Sequence, residues 1–223
     1  MEIYLDSANL EEIRSFLWFP LKGVTTNPTF VAKAGVPLFD LIDEILSLGI
    51  PELHCQVLGE STGQIVREGK MLAARAPGKV FPKIPVSKGG IEAIRLLAQE
   101  GIKTTATAVY TVTQGLVAAK SGASFIAPYV NRLDAMEQSG VEMATELSMV
   151  LDHYGLDSQV LAASVKTTEQ LKGLMLGGVH TATIGGDLLE QTIRHPLTDA
   201  SIKQFADNWL SVFQSAEVDA KLR

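Results

Sequence analysis

The chain of 223 residues has a single cysteine, Cys55, so an intrachain disulfide is excluded and a reducing cytosol is the expected compartment. Histidine is also scarce: the four present, His54, His153, His180 and His195, show no HxH or HExxH spacing, and no metal site is expected. Basic residues are in deficit, 19 Lys and Arg against 25 Asp and Glu for a net charge of −6, which argues against nucleic acid as the main partner. No apolar run approaches membrane-spanning length, and "MEIYLDSANL" lacks a basic segment followed by an apolar one; a cytoplasmic protein without membrane association is expected. GxSxG and Walker motifs are missing, and the first β-prone run passes into "DSANLEE" without the glycine-rich turn of a nucleotide-binding fold. No low-complexity block, linker or solenoid repeat divides the chain.

What remains is a regular alternation. The runs "EIYLD", "KGVTTN", "ELHCQV", "VFPKIP", "KTTATAV", "SFIAPYV", "QVLAAS" and "TATIG" are separated by helical patterns at 9–19, 38–48, 61–75, 88–100, 111–121, 140–153, 168–176 and 187–194. About eight strand–helix units predict an α/β fold of the (β/α)8 TIM-barrel type, a single domain over 1–223 with the barrel over about 1–197. An extra amphipathic helix is expected over about 199–217, where Ile202, Phe205, Ala206, Trp209, Leu210 and Phe213 recur at helical spacing. Packing on its own barrel is the default for that stripe; lying across a neighbouring subunit is the alternative.

One residue is out of place in this pattern. In "KVFPKIPV", Lys83 sits among Val80, Phe81, Pro82, Ile84, Pro85 and Val86, and an ammonium group is costly to withdraw from water without a partner. Strand alternation puts Lys83 on the face of Phe81 and, repeated elsewhere, groups Asp6 with Tyr4, Asn27 with Thr25, Gln56 with His54, Thr107 with Thr105, Tyr129 with Ala127 and Ser164 with Ala162. In each run the polar or longer group lies toward the C-terminal end, where barrel enzymes gather their functional groups.

With metal, serine-triad and nucleotide signatures absent, an amine nucleophile is the chemistry the set can support. A lysine desolvated in an apolar wall gives up its proton more readily and attacks a ketone as the neutral amine. Loss of water from the carbinolamine leaves an iminium that accepts electrons from a breaking C–C bond, as in class I aldol chemistry. Tyr129, Gln56, Thr107 and Asp6 supply the hydroxyl, amide and carboxylate groups needed to move and orient protons. No cofactor is expected.

The segments "YLDSANLEEI", "GVTTNPT", "KIPV", "TATAVYTVTQGLVAAKSGASFIAPYVNRLDA" and "VLAASVKT" resemble, in order along the chain, the motifs of the transaldolase family, in its short-chain branch of fructose-6-phosphate aldolases and small transaldolases. The resemblance implies that Lys83 is the Schiff-base lysine, that Asp6 is the carboxylate near it, and that Asn27, with Thr25 on its face, and Ser164 contact substrate hydroxyls or phosphate. It also implies a phosphate subsite of Arg132, Ser164 and Lys166, whose guanidinium and ammonium donors suit a phosphomonoester. Transaldolases of the branch typically carry glutamate and phenylalanine where this chain has Gln56 and Tyr129, and the aldolases carry glutamine and tyrosine.

The expected activity is therefore reversible cleavage of fructose 6-phosphate to dihydroxyacetone and glyceraldehyde 3-phosphate. Transfer of a dihydroxyacetone unit between sugar phosphates is the alternative, and a non-catalytic sugar-phosphate-binding barrel is a rival of another class. The resemblance also implies a homo-oligomer, a pentamer or decamer, with the terminal helix over a neighbour. Pro82, "TIGGD" and "DAMEQSG" depart from the family pattern, and a proline in an interior strand is expected to remove a ladder donor.

Overall fold

The computed structural model describes residues 1–222. Its first half runs β1 (Glu2–Asp6), α1 (Leu10–Ser15), β2 (Gly23–Thr25), α2 (Pro28–Ala34), α3 (Leu38–Ser47), β3 (Leu53–Gln56), α4 (Thr62–Arg75), β4 (Val80–Pro85) and α5 (Lys88–Gln99). It continues with β5 (Thr105–Val109), α6 (Val112–Lys120), β6 (Phe125–Pro128), α7 (Val130–Asp134), α8 (Gly140–His153), β7 (Gln159–Val165), α9 (Thr168–Leu176), β8 (Thr181–Ile184), α10 (Gly186–Gln191) and α11 (Pro196–Val212). The eight strands pair in parallel in sequence order, and β8 closes on β1: a (β/α)8 TIM barrel.

Local chemistry sets most of the helix starts. Ser61 and Thr167 form capping boxes with Gln64 and Gln170, while Ser87, Thr111 and Ser139 accept from a backbone N–H at the third helical position. Two helices escape the sequence pattern because they are too short to develop a 3.6-residue period: α2, begun by Asn27 and Pro28, and the five-residue α7. Helix α1 ends at Ser15, earlier than the pattern suggests.

Pro82 fits its strand without breaking the ladder. The carbonyls of Lys79 and Lys83 accept from Leu53 and Val57, so odd positions of β4 bond to β3, whereas Val86, an even position, donates to Thr107 of β5. The missing N–H of Pro82 therefore faces β5, and the β4–β5 register begins only at Lys83 and Thr105. The proline occupies a site where the ladder has not yet started.

Strands β5 and β7 share a local device. Each slips register by one residue, between Ala106 and Val109 and between Ala162 and Val165, with a left-handed residue inside the slip: Ala108 at φ 57° and Ser164 at φ 57°. Three residues after each left-handed residue stands a helix-capping threonine, Thr111 or Thr167, and three further on a glutamine whose Oε1 reaches back to the turn.

The bulge corrects one expectation. Leu161, not Ala162, joins Tyr4, Phe81 and Phe125 in the interior. Ala162 and Val165 both pair with one face of β8, at Ala182 and Ile184, so Ser164 returns to the inner side only because of the extra residue. No helix among the described residues is long and apolar enough to cross a membrane.

The residues divide into two compact units, one over Met1–Leu188 and a second beginning at Leu189. In the second, α11 starts three residues earlier than the expected 199, because the His195 side chain accepts from the backbone N–H of Leu197 and Pro196 takes the first turn. It ends at Val212, where Phe213 turns extended. Trp209 stacks on Phe213 at 4.1 Å and donates through its indole to the Ser215 carbonyl at 2.8 Å. Ile202 and Phe205 are 62% and 68% exposed.

Gly23 is required by space rather than by φ: a Cβ there would meet the Glu52 carbonyl oxygen at 2.2 Å and the Tyr4 ring at 2.9 Å. The G23A variant is expected to lose about 1–3 kcal/mol of stability through overpacking, read as a lower urea midpoint at unchanged slope.

Candidate active site

The barrel interior is built in two levels. The lower is aromatic: His54 is fully buried, with ring centroids of Tyr4, Phe81 and Phe125 at 5.0, 5.0 and 4.9 Å. Its Nδ1 lies 2.7 Å from Thr105 Oγ1, and its Nε2 has no hydrogen-bond partner among the described residues. Burial holds the ring neutral, with the Lys83 charge acting in the same direction. Tyr4 completes the floor by donating to Glu52 at 2.5 Å.

The upper level is polar, and Lys83 enters it from β4. Its side chain is only 4% exposed, and Nζ donates to the Thr26 carbonyl at 2.8 Å. Burial lowers the lysine's pKa below its ordinary value near 10.5, opposed by the negative charge of Asp6 and to a smaller degree by Cys55. Thr25 Oγ1 donates to Asp6 Oδ1 at 2.8 Å and lies 2.7 Å from Thr183 Oγ1, tying β1, β2 and β8 together beside the amine. Gln56 is the register partner of Lys83 across β3 and β4, which sets the two side chains next to one another on one face. Cys55 is fully buried, and burial pushes its thiol up to about 12, away from thiolate chemistry.

On the neighbouring β5, Thr107 Oγ1 lies 3.0 Å from Tyr129 Oη. Tyr129 stands just past β6, where its N–H donates to Val109 and a single parallel bridge joins it to Ala163 of β7. Arg132, one turn further on α7, lays its guanidinium 4.7 Å from the Tyr129 ring centroid and donates to the Tyr110 hydroxyl at 3.2 Å. Ser164 sits in the bulge of β7 in the left-handed conformation that a serine seldom adopts.

Ten sequence-predicted residues thus fall into three groups. Lys83, Asp6, Thr25, Gln56, Thr107 and Tyr129 converge at the C-terminal end of the barrel interior. Arg132 and Ser164 border them through Tyr129 and Ala163, and Lys166 is exposed on the β7–α9 turn. Asn27 spends its Oδ1 on the N-cap of α2, accepting from Phe30 at 3.1 Å, which makes it a hinge of the β2–α2 turn as well as a mouth residue. Sequence reasoning missed Thr26, whose contribution is a backbone carbonyl invisible to residue type, and Thr183, which alternation in "TATIG" pairs with Thr181. Among the described residues, no group of three His, Cys, Asp or Glu is arranged to hold a metal ion.

The depressed pKa of Lys83 carries a stability consequence. Between the folded value and about 10.5 the unfolded chain binds more protons than the folded one, so stability from this group rises with pH. A K83M variant lacks that dependence, and its stability advantage over wild type is expected to shrink as pH increases, by up to about 1.4 kcal/mol per pH unit. Urea unfolding of both proteins at pH 7 to 10 measures it; a constant difference would contradict the burial of a titrating amine.

Comparison with known proteins agrees with this geometry. The family described as Transaldolase/Fructose-6-phosphate aldolase matches residues 3–221. A protein of Listeria monocytogenes named "Probable transaldolase 2" is 40% identical over 210 residues, covering 94% of this chain and 96% of its own. The "Probable transaldolase" of Hydrogenobaculum sp. is 36% identical over 213 residues, 95% of this chain and 98% of its own. A barrel with a buried lysine in its fourth strand and this extent of similarity belongs to the transaldolase/fructose-6-phosphate aldolase family.

Proposed function

We propose that this chain is a class I aldolase that reversibly cleaves fructose 6-phosphate to dihydroxyacetone and glyceraldehyde 3-phosphate. Family membership supports aldolase-type chemistry on sugar phosphates. The observation that carries the finer reading is the buried amine of Lys83, held on a backbone carbonyl with its proton affinity lowered, at the same end of the barrel as a tyrosine–threonine hydroxyl pair.

In this reading Lys83 attacks the C2 ketone, and the carbinolamine loses water to give the iminium. The C3–C4 bond breaks with its electron pair drawn to the iminium nitrogen. Asp6, oriented by Thr25, is the carboxylate assigned to receive the C4 hydroxyl proton, and the aldehyde departs. The remaining enamine takes a proton at carbon from Tyr129, whose hydroxyl Thr107 orients, and water hydrolyses the new iminium to free dihydroxyacetone and Lys83. Gln56 orients the hydroxyls of the three-carbon unit. Thr25 and Asn27 line the same wall, and Arg132, Ser164 and Lys166 form the phosphate subsite. No cofactor enters these steps.

The second reading, transaldolase, is favoured by the names of the relatives. The two differ in the fate of the enamine: protonation by Tyr129 releases dihydroxyacetone, whereas its absence leaves the three-carbon unit waiting for an acceptor aldehyde. Borohydride reduction in the presence of dihydroxyacetone, followed by peptide mapping, is expected to place a reduced three-carbon adduct on Lys83. An unmodified Lys83 would falsify the mechanism. Y129F is expected to lower cleavage of fructose 6-phosphate about 100-fold or more while transfer to erythrose 4-phosphate persists, measured by product analysis with and without acceptor. Unchanged cleavage would remove the case for lyase over transferase.

The subunit is further proposed to assemble into a homo-oligomer, a pentamer or decamer, in which another copy covers the exposed Ile202 and Phe205 face of α11. Sedimentation of I202E/F205E is expected to show smaller assemblies than wild type; an unchanged distribution would place the interface elsewhere.

A further inference from the structure

Helix α7 carries Arg132 but is only five residues long and has no side-chain cap at Tyr129. One turn of helix does not hold itself in place, so outside contacts must fix where the guanidinium stands. Gln114 supplies an indirect one: its Oε1 accepts from Tyr110 N at 2.9 Å, and the Tyr110 hydroxyl accepts from Arg132.

Gln170, its counterpart in the β7–α9 module, reaches α7 itself. Its Oε1 accepts from Lys166 N at 2.7 Å and from Thr167 N at 3.2 Å. Its Nε2 donates to Asn131 Oδ1 at 3.2 Å and to Asp134 Oδ2 at 2.6 Å. The amide orientation follows from its surroundings, two backbone donors on one side and two side-chain oxygens on the other. Asp134 Oδ1 in turn accepts from Gly140 N at 2.8 Å, anchoring α7 to the start of α8.

A helix cap would need only the oxygen half of this amide, and a glutamate would cap equally well. The nitrogen half has a different task. It locks Asn131 and Asp134, on either side of Arg132, to the segment that carries Ser164 and Lys166. We propose that Gln170 is a positioning residue for the anion subsite: by fixing the Arg132 helix against the Ser164–Lys166 turn it sets the affinity for the phosphoryl group of a sugar phosphate. The identity of the anion rests on the function proposed above; the clamp itself rests on the four hydrogen bonds.

Q170E separates cap from clamp. It keeps an oxygen acceptor for Lys166 N and Thr167 N, so α9 stays capped, but it replaces the donor to Asp134 with a second carboxylate. Glycerol 3-phosphate, a phosphomonoester without a carbonyl, is the probe, because it cannot form an imine. Calorimetry is expected to show about tenfold weaker binding to Q170E than to wild type. Q170E/D134N should recover most of the loss, since the amide at 134 then donates to the carboxylate at 170 and still accepts from Gly140. Thermal midpoints of the three proteins and borohydride trapping of dihydroxyacetone on Lys83 should stay close to wild type.

Equal binding by Q170E and wild type, a double variant no tighter than Q170E, or no binding by wild type would each overturn the clamp. Failed trapping alongside the expected binding pattern would instead overturn the aldolase reading and leave the clamp supported.

Discussion

A lysine amine buried in the wall of a parallel barrel has to be accommodated by groups that cannot themselves be charged away, and here the group is a peptide carbonyl. Thr26 offers its oxygen at 2.8 Å from just past β2, so among the described residues the amine has one hydrogen bond and no carboxylate in an ion pair with it. A direct ion pair would hold the proton on; a neutral acceptor fixes position while leaving burial to lower proton affinity. Asp6 opposes that lowering, and its Oδ1 accepts from Thr25, whose hydroxyl also meets that of Thr183.

The two-level interior follows from the same requirement. Tyr4, Phe81 and Phe125 seal the barrel beneath the polar groups, and His54 fits among them only because it stays neutral and spends one nitrogen on Thr105. Charged, it would place a second cation in the space that desolvates Lys83. The floor therefore acts on the amine twice, by excluding water and by declining a charge of its own.

Positions of the outer groups are set by repetition of one local device on either side of β6. The bulges of β5 and β7 each hold a residue at φ 57°, Ala108 just past the inward Thr107 and Ser164 itself, which the extra residue turns inward, and both are followed by Thr–x–x–Gln helix starts. Between them lies the short α7, with Tyr129 at its beginning and Arg132 within it. Strand backbone strain and glutamine hydrogen bonds together determine where a tyrosine hydroxyl and a guanidinium stand relative to the amine.

Eight strand–helix alternations, an apolar run interrupted by Lys83 and polar residues near strand ends were legible along the chain, because period and composition report which face each residue takes. Ser164 marks where that logic stops: alternation paired it with Ala162, and only a bulge, which leaves no periodic trace, turns it inward. The same holds for α7, too short to show a period, and for the Thr26 carbonyl, which every residue type would offer. Sequence by itself determined the barrel and its one misplaced amine, since both are properties of residue pattern. Tertiary structure decided the amine's partner, the register of β7 and the grip of Gln170 on the Arg132 helix, because each depends on atoms brought together from distant parts of the chain.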